Sequence, residues 1–310
     1  MWLGVEVGVE FGLILSQFGC RWEHTESDAR IAEASGLDSI WLVDHLLGTM
    51  DPAGDVFEAW TALSYLAGVT GRVRLGHLVN CVSFRNVGVL AKMVATVDHA
   101  SGGRVEVGLG AGWYEREYEA FGYEFDSPGV RVAYFEEYLD ALVALLGGGP
   151  VNFEGEYIRL EDAYCRPGPV QQPHPPITVG AGGPRMREIT GRKADAWNCP
   201  ASRIPDLEDA RGVVTAAAAG AGRTVRTTLQ VPVAVGRTDE EAAAALEVAR
   251  VHMAWMGDIE SVGVTGKIGA AAEQVAALAD HGVDGLIAVV PGSRRRPEFI
   301  EAYGELAAGF

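Results

Sequence analysis

The sequence predicts a (β/α)8 barrel of the α/β class, folded as one domain over 1–310. Three observations carry that expectation. Eight candidate strands alternate with helical patterns along 310 residues. The turn after the first strand, Ser16-Gln17-Phe18-Gly19, lacks the G-x-G-x-x-G fingerprint that a doubly wound sheet usually carries there. No Pro- or Ser-rich linker divides the chain, and a 48% hydrophobic composition supplies enough apolar surface for one large core.

The first strand is read over Val9 to Leu15. A helix with Ala29, Ile31, Ala32 and Ala34 on one face follows, closed by Gly36 as a C′ residue. Ser39 to Val43 is the second strand and ends in Asp44-His45. Asp55 is placed to cap a helix with Trp60, Leu63 and Leu66 on one face. Val73 to Val79 is the third strand, followed by a helix carrying Val89, Leu90, Met93, Val94 and Val97. In the fourth strand, Arg104 to Leu109, apolar Val105, Val107 and Leu109 alternate with Glu106 and Gly108. Val132, Phe135, Leu139, Leu142 and Leu146 mark the next helix, which Gly147-Gly148-Gly149-Pro150 breaks. The stretch 150–176 reads as an insertion: a small hairpin over Val151 to Leu160 turning at Glu154-Gly155, then an extended proline-rich loop to Pro176.

Ile177 to Gly180 is the fifth strand, Ala194 to Trp197 the sixth and Leu229 to Val235 the seventh, with a helix around Leu207 to Ala219 before it. Thr238 and Glu241 open the next helix as a capping box. The segment 251–269 is expected to shape a substrate pocket as a loop, glycine-rich from Gly257, with Trp255 and Met256 as apolar walls. A helix over Ala270 to His281, an eighth strand over Gly285 to Val290 and a closing helix over Pro297 to Ala308 complete the pattern.

Composition removes several classes of function. Acidic residues number 42 against 25 basic ones, a net charge of -17, with no basic stripe for nucleic acid. An anionic ligand must therefore be met by local groups. Cys20, Cys81, Cys165 and Cys199 are widely spaced and form no C-x-x-C pair, which argues against a zinc site or a disulfide framework. His45, His77 and His99 show no metal-binding spacing, so no metal is expected, and His77 reads as a packed histidine within its strand. No G-x-S-x-G elbow supports acyl transfer. The apolar start is interrupted by Glu6 and Glu10 with no basic region before it, so neither a leader nor a membrane span is expected; a cytoplasmic setting follows.

Barrel sites sit on loops at the carboxyl ends of the strands, which turns position into a shortlist. Gln17 follows the first strand, Asp44 and His45 the second, and Asn80, Cys81 and Arg85 the third. Asn198 and Cys199 follow the sixth. The fourth strand runs into Gly108-Leu109-Gly110-Ala111-Gly112, then Trp113 and Tyr114. This is either a bed where a flat ligand presses on bare backbone or a tight strand-to-helix turn under an aromatic lid. The loop after the fifth strand, Gly180-Ala181-Gly182-Gly183-Pro184-Arg185, offers glycine N–H groups at a helix start, with Pro184 suited to the first turn and Arg185 adding charge. It reads as a phosphate site, the alternative being a plain turn. Asp44-His45 either places a proton-handling imidazole or touches a cofactor ring, unless backbone satisfies the pair.

These segments together resemble the luciferase-like monooxygenase superfamily, and within it the branch of deazaflavin-dependent (coenzyme F420) oxidoreductases. The resemblance covers nearly the whole chain. It is carried by FGLILSQFG from Phe11, GLDSIWLVDH from Gly36, RVRLGHLVNCVSFRNVGVLAKMVATVDHASGGRVEVGLGAGWYEREYEAFG from Arg72, PPITVGAGGPRMREITGRKADAWN from Pro175 and HGVDGLI from His281. It implies a bulge after the third strand with a non-prolyl cis peptide at Leu78-Val79, backing the middle ring of the cofactor. Asp44 matches a residue that hydrogen-bonds the deazaflavin ring, and His45 lies beside its reacting face. Cys81 stands where relatives often place a small hydroxyl residue against the cofactor. Gly110 and Gly112 belong to the same bed, and the loop Gly180 to Pro184, with Gly182 and Gly183, matches the segment that receives the cofactor phosphate. Two departures stand out. Trp113 replaces a glutamate of the sugar-phosphate dehydrogenase relatives, so a glucose-6-phosphate activity is not expected, and Gly88 replaces a common proline.

The resemblance thus implies an oxidoreductase that transfers a hydride between coenzyme F420 and a small organic substrate, with His45 managing the proton. The substrate pocket is expected to include Gln17, Trp113, Tyr114, Trp255 and Met256. The alternatives are an FMN-dependent monooxygenase on the same fold and a flavin- or deazaflavin-binding barrel without turnover. A barrel aldolase would want a buried lysine on a strand, and no strand offers one clearly. A small-molecule substrate and a homodimer are the partners implied; no nucleic acid and no membrane are expected.

Overall fold

A computed structural model describes residues 8–310. In chain order the elements are β1 (Glu10–Ile14), α1 (Trp22–Ala34), β2 (Ser39–Leu42), α2 (Ala59–Val69), β3 (Arg74–His77), β4 (Asn80–Cys81), α3 (Val87–Ser101), β5 (Val105–Gly110), α4 (Glu115–Phe121), α5 (Pro128–Leu146), β6 (Val151–Glu154) and β7 (Arg159–Ala163). There follow β8 (Ile177–Gly180), α6 (Pro184–Lys193), β9 (Ala196–Pro200), α7 (Leu207–Gly220), β10 (Arg226–Gly236), α8 (Asp239–His252), α9 (Ile259–Val262), β11 (Val264–Lys267), α10 (Ile268–Asp280), β12 (Gly285–Val289) and α11 (Glu298–Ala307). Parallel pairing runs β1-β2-β3-β5-β8-β9-β10-β12 and returns from β12 to β1, which closes an eight-stranded barrel. Away from their first residues the barrel strands are mostly apolar and buried on both faces, as parallel strands wrapped by helices must be. The expectation of a leader-free start rests on positions, Glu6 among them, outside the described residues.

Several local expectations need correction. Asp55 does not cap α2. Glu58 does, its carboxylate accepting from the N–H groups of Trp60 and Thr61 at 3.1 and 2.7 Å. Sequence reasoning favoured the shorter acid, yet Glu58 sits adjacent to the helix and reaches back to it. The third strand is interrupted: β3 ends at His77, the cis Leu78-Val79 peptide follows, and β4 resumes at Asn80. The seventh strand starts three residues earlier than expected, at Arg226, because Asp284 Oδ2 accepts the Thr227 N–H at 2.7 Å and extends the ladder beside β12. Of the expected capping box, Thr238 accepts from the Glu241 N–H, but the Glu241 carboxylate takes the N–H of Arg237.

The largest departure lies in 251–269. A loop was expected there. The chain instead forms α9 and then β11, which adds a ninth parallel strand to the outer end of β10 through Val233↔Val264 to Gly236↔Lys267. Val264 is apolar and fully buried there, a signal that the neighbouring glycines hid. The segment 151–163 does form an antiparallel hairpin, tied down by Glu137, which accepts the N–H groups of Glu156, Tyr157 and Ile158.

A charged cluster spans the amino-terminal mouth of the barrel. Glu106 on β5 is buried and accepts from Thr178 Oγ1 at 2.7 Å, with Arg74 Nε at 3.3 Å and Arg226 Nη2 at 3.4 Å. Arg226 also meets Glu10 at 2.5 Å. Glu106→Ala is expected to cost about 2 kcal/mol, since it leaves a buried hydroxyl and two partly buried cations short of an acceptor. The urea midpoint should fall at constant slope; a change under about 0.5 kcal/mol would show that solvent replaces the carboxylate. No described helix is long and apolar enough to cross a membrane.

Candidate functional site

The carboxyl-terminal mouth of the barrel opens into a cavity of about 520 Å3, within the range of small-molecule sites. Its lining draws on five of the loops that sequence position singled out. Asp44 and His45 come from the β2 loop; Leu78, Val79, Asn80 and Cys81 from the break in the third strand; and Gly110, Gly112, Trp113 and Tyr114 from the β5 loop. Gly180, Gly182 and Gly183 come from the β8 loop, and Asn198 from β9.

The bed is built from bare backbone. A Cβ on Gly110 would lie 2.5 Å from Val79 Cγ2, and one on Gly180 would lie 3.2 Å from both Val79 methyls. Gly112 has φ +78, and a Cβ there would overlap the Tyr118 hydroxyl. These glycines are thus consumed by close approach of the chain to Val79 and Tyr118. Gly182 and Gly183 differ: a Cβ on either would meet nothing within 4 Å. They open onto the cavity at the start of α6, where Pro184 occupies the first turn and no side chain caps the helix. Free N–H groups and the positive end of the helix dipole make this an anion-accepting corner.

Asp44 is held rigidly. Arg85 donates to both carboxylate oxygens, at 2.6 and 2.8 Å, and the Cys81 N–H donates to Oδ2 at 2.9 Å. Glu58 receives a further bond from Arg85 at 2.8 Å. Burial alone would lower the Arg85 pKa, but bonds to these two carboxylates hold it above its ordinary value. Oδ1 keeps one lone pair for a cavity ligand. Burial pushes the Cys81 thiol up to about 11, so at neutral pH it is a neutral group, 3.0 Å from the Tyr118 hydroxyl. Burial thus favours the thiol over the thiolate at this position.

His45 sits between aromatic and acidic neighbours. Its ring lies edge-on to Trp113 and Tyr114, with centroids 5.7 and 6.2 Å away. Nδ1 is 2.9 Å from Glu117 Oε2. Glu117 is buried on α4, and its Oε1 accepts the N–H groups of Leu46 and Leu47 at 2.6 and 2.8 Å.

Four expected site residues fall outside the cavity lining. Gln17 is fully buried and spends its amide on the fold: Nε2 donates to Phe57 O at 3.0 Å, and Oε1 accepts from Val43 N at 2.6 Å. Arg185 points outward, 3.5 Å from Gly129 O. Trp255 is 59% exposed at the surface, and Met256 is packed into the core at 4%; both ride on the segment that carries α9 and β11 and are held away from the mouth. Lys92 also lies outside the lining, where it donates to Arg166 O at 2.7 Å. The cavity instead receives Arg131 from α5, stacked 3.9 Å over the Phe125 ring.

Sequence reasoning also missed Glu117, Tyr118, Arg131, Met186 and Gln230, all of which line the cavity. A signal existed for the first two. Once Tyr114 is taken as the start of a helix, Glu117 and Tyr118 are its neighbours one turn on.

A closed barrel with a glycine-floored cavity at the strand carboxyl ends defines the class: a (β/α)8 protein built to bind at its top face. The model of the luciferase-like monooxygenase family matches residues 10–296. A phthiodiolone/phenolphthiodiolone dimycocerosates ketoreductase of Mycobacterium tuberculosis is 34% identical over 280 residues, covering 81% of this chain and 72% of that protein. The chain belongs to the luciferase-like family. Among solved structures, an F420-dependent secondary alcohol dehydrogenase bound to an F420-acetone adduct superposes with a TM-score of 0.81 at 19% identity, covering 96% of this chain and 98% of that one. The monooxygenase RslO1 from Streptomyces bottropensis superposes with a TM-score of 0.81 at 21% identity, over 97% and 99%. These two share the fold.

Proposed function

We propose that this chain is an oxidoreductase that moves a hydride between coenzyme F420 and the carbonyl or alcohol carbon of a small organic substrate. The observation that carries the reading is the continuous surface from Val79, across Gly110 and Gly180, to the open glycines at the start of α6. It fits a flat ring with an anionic tail at one end. The ketoreductase relative supports carbonyl chemistry. The residues that would hold the cofactor are Val79 and Leu78 behind the ring, Asp44 Oδ1 and Cys81 at its polar edge, and Gly182 and Gly183 at the phosphate. When bound in reduced form, the deazaflavin supplies the hydride. His45, the titratable group at the mouth with a ring nitrogen to spare, gives the proton to the oxygen of the reduced carbonyl, or takes it from an alcohol in reverse. Trp113 and Tyr114 stand edge-on to the His45 ring at the mouth of the cavity.

The same bed suits FMN, and a monooxygenase is the second reading. Arg131 favours the deazaflavin. It brings a guanidinium to the cavity lining, and the deazaflavin tail carries carboxylates beyond its phosphate. Titrating the purified protein with F420 and with FMN, followed by absorbance, tests the choice. F420 is expected to bind at least about tenfold tighter, roughly 1.4 kcal/mol. Saturation by FMN alone would overturn the cofactor assignment. Bound F420 that no carbonyl compound reoxidises would leave only a binding barrel.

A further inference from the structure

Three consecutive residues of one loop converge on one carboxylate. Glu117 leaves α4 directly behind Trp113 and Tyr114, and it reaches the β2 loop at three consecutive residues, His45, Leu46 and Leu47. We propose that Glu117 is a positioning residue: it fixes the His45 proton on Nδ1, and so makes Nε2 the ring atom that exchanges a proton in the cavity. This rests on the proposed reading of His45 as the proton-handling group and specifies how that group is set.

The geometry supplies the argument. Two backbone N–H donors already claim Oε1, which makes that oxygen an acceptor. Oε2 then faces Nδ1 at 2.9 Å. An ionised carboxylate can only accept, so the hydrogen in that bond belongs to the ring. A neutral imidazole carries one proton, and placing it on Nδ1 leaves a lone pair on Nε2. Nε2 has no protein partner among the described residues, and the ring lines the cavity. In the reverse direction the substrate hydroxyl proton moves to Nε2. The ring becomes an imidazolium whose Nδ1–H still points at Glu117, and reduction of a carbonyl returns that same proton to oxygen. The competing arrangement has Oε2 protonated and donating to Nδ1, which would place the ring proton on Nε2 and present a donor in the resting state.

The test needs no cofactor. Full-length protein with 15N-labelled histidine is examined by long-range 1H–15N correlation at pH 8.5, above the ordinary imidazole value of about 6.5. The His45 signals are assigned by their loss in His45→Gln. The wild type is expected to show a protonated Nδ1 and an unprotonated Nε2. Glu117→Gln keeps a carbonyl oxygen for the two N–H groups but turns an NH2 donor toward Nδ1, so the ring should switch to the Nε2–H form. A wild-type ring protonated on Nε2, or on both nitrogens, overturns the proposal, and this holds whether or not the variant folds. A Glu117→Gln protein that retains Nδ1–H overturns the role given to Glu117. F420 titration of the same wild-type sample reads the function separately. Failure to bind with the Nδ1–H ring intact sinks the cofactor reading and leaves the assignment of the proton standing.

Discussion

Asp44→Ala is expected to destabilise the protein by about 3 kcal/mol, because it strands a buried guanidinium. Arg85 has a side-chain exposure of 12% and donates to both oxygens of Asp44. Without that partner it keeps only Glu58, whose carboxylate is half in solvent and already caps α2. The Cys81 N–H loses its acceptor as well, in a cavity wall where the chain is already committed to the Val79 turn. The double variant Asp44→Leu/Arg85→Met removes both charges and should recover a large part of the loss, since an apolar pair of similar volume is often neutral in such a place. Urea unfolding of the apo proteins measures all three. A single-variant cost under about 1 kcal/mol, or a double variant no better than Asp44→Ala, would show that water satisfies Arg85 and that Asp44 is a free ligand for the cavity. The cycle therefore also asks how much of Asp44 remains available to a cofactor.

Much of this site could be read from sequence because barrel topology converts linear position into place. Asp44-His45, Leu78 to Cys81, Gly110 to Tyr114 and Gly180 to Gly183 each follow a strand, and closure of the barrel brings their loops to one mouth. The misses have separate causes, and for Gln17 the deciding contacts are long-range. Gln17 stands at a strand end like the true lining residues, but its amide is used by Val43 and Phe57, forty residues away at the furthest. Arg185 follows the glycines in sequence and still lies exposed outside the lining, because a helix turns each residue by about 100° and it is the next residue, Met186, that faces the cavity. Arg131 was invisible for the opposite reason: it lies on α5, far from any strand end, and enters the cavity only through helix packing. Trp255 and Met256 were assigned by elimination in a segment whose glycines masked a strand.

The wild type is expected to lose about 3 kcal/mol of stability, relative to His77→Leu, as pH falls from 7.5 to 4. His77 is the last residue of β3, fully buried, with its ring 4.5 Å from that of Trp60, and neither ring nitrogen has a hydrogen-bond partner. Burial lowers its pKa from 6.5 to about 4 despite the nearby Asp44 charge. The direction follows from proton counting. Between pH 6.5 and 4 the unfolded chain binds a proton on this ring and the native state does not, so unfolding takes up a proton and acid favours it. The loss begins near 6.5 and levels off below about 4, where both states carry the proton. Asp28, whose carboxyl is pushed up by burial, works in the opposite direction but is common to both proteins and cancels in the difference. Leucine at 77 removes the titration while filling much of the same space, so the two stability curves should run parallel above pH 7.5 and diverge below 6.5. Curves that stay parallel to pH 4 would mean that the ring is protonated in the native state, with a counter-charge or water reaching it from the Asp44 side of the barrel.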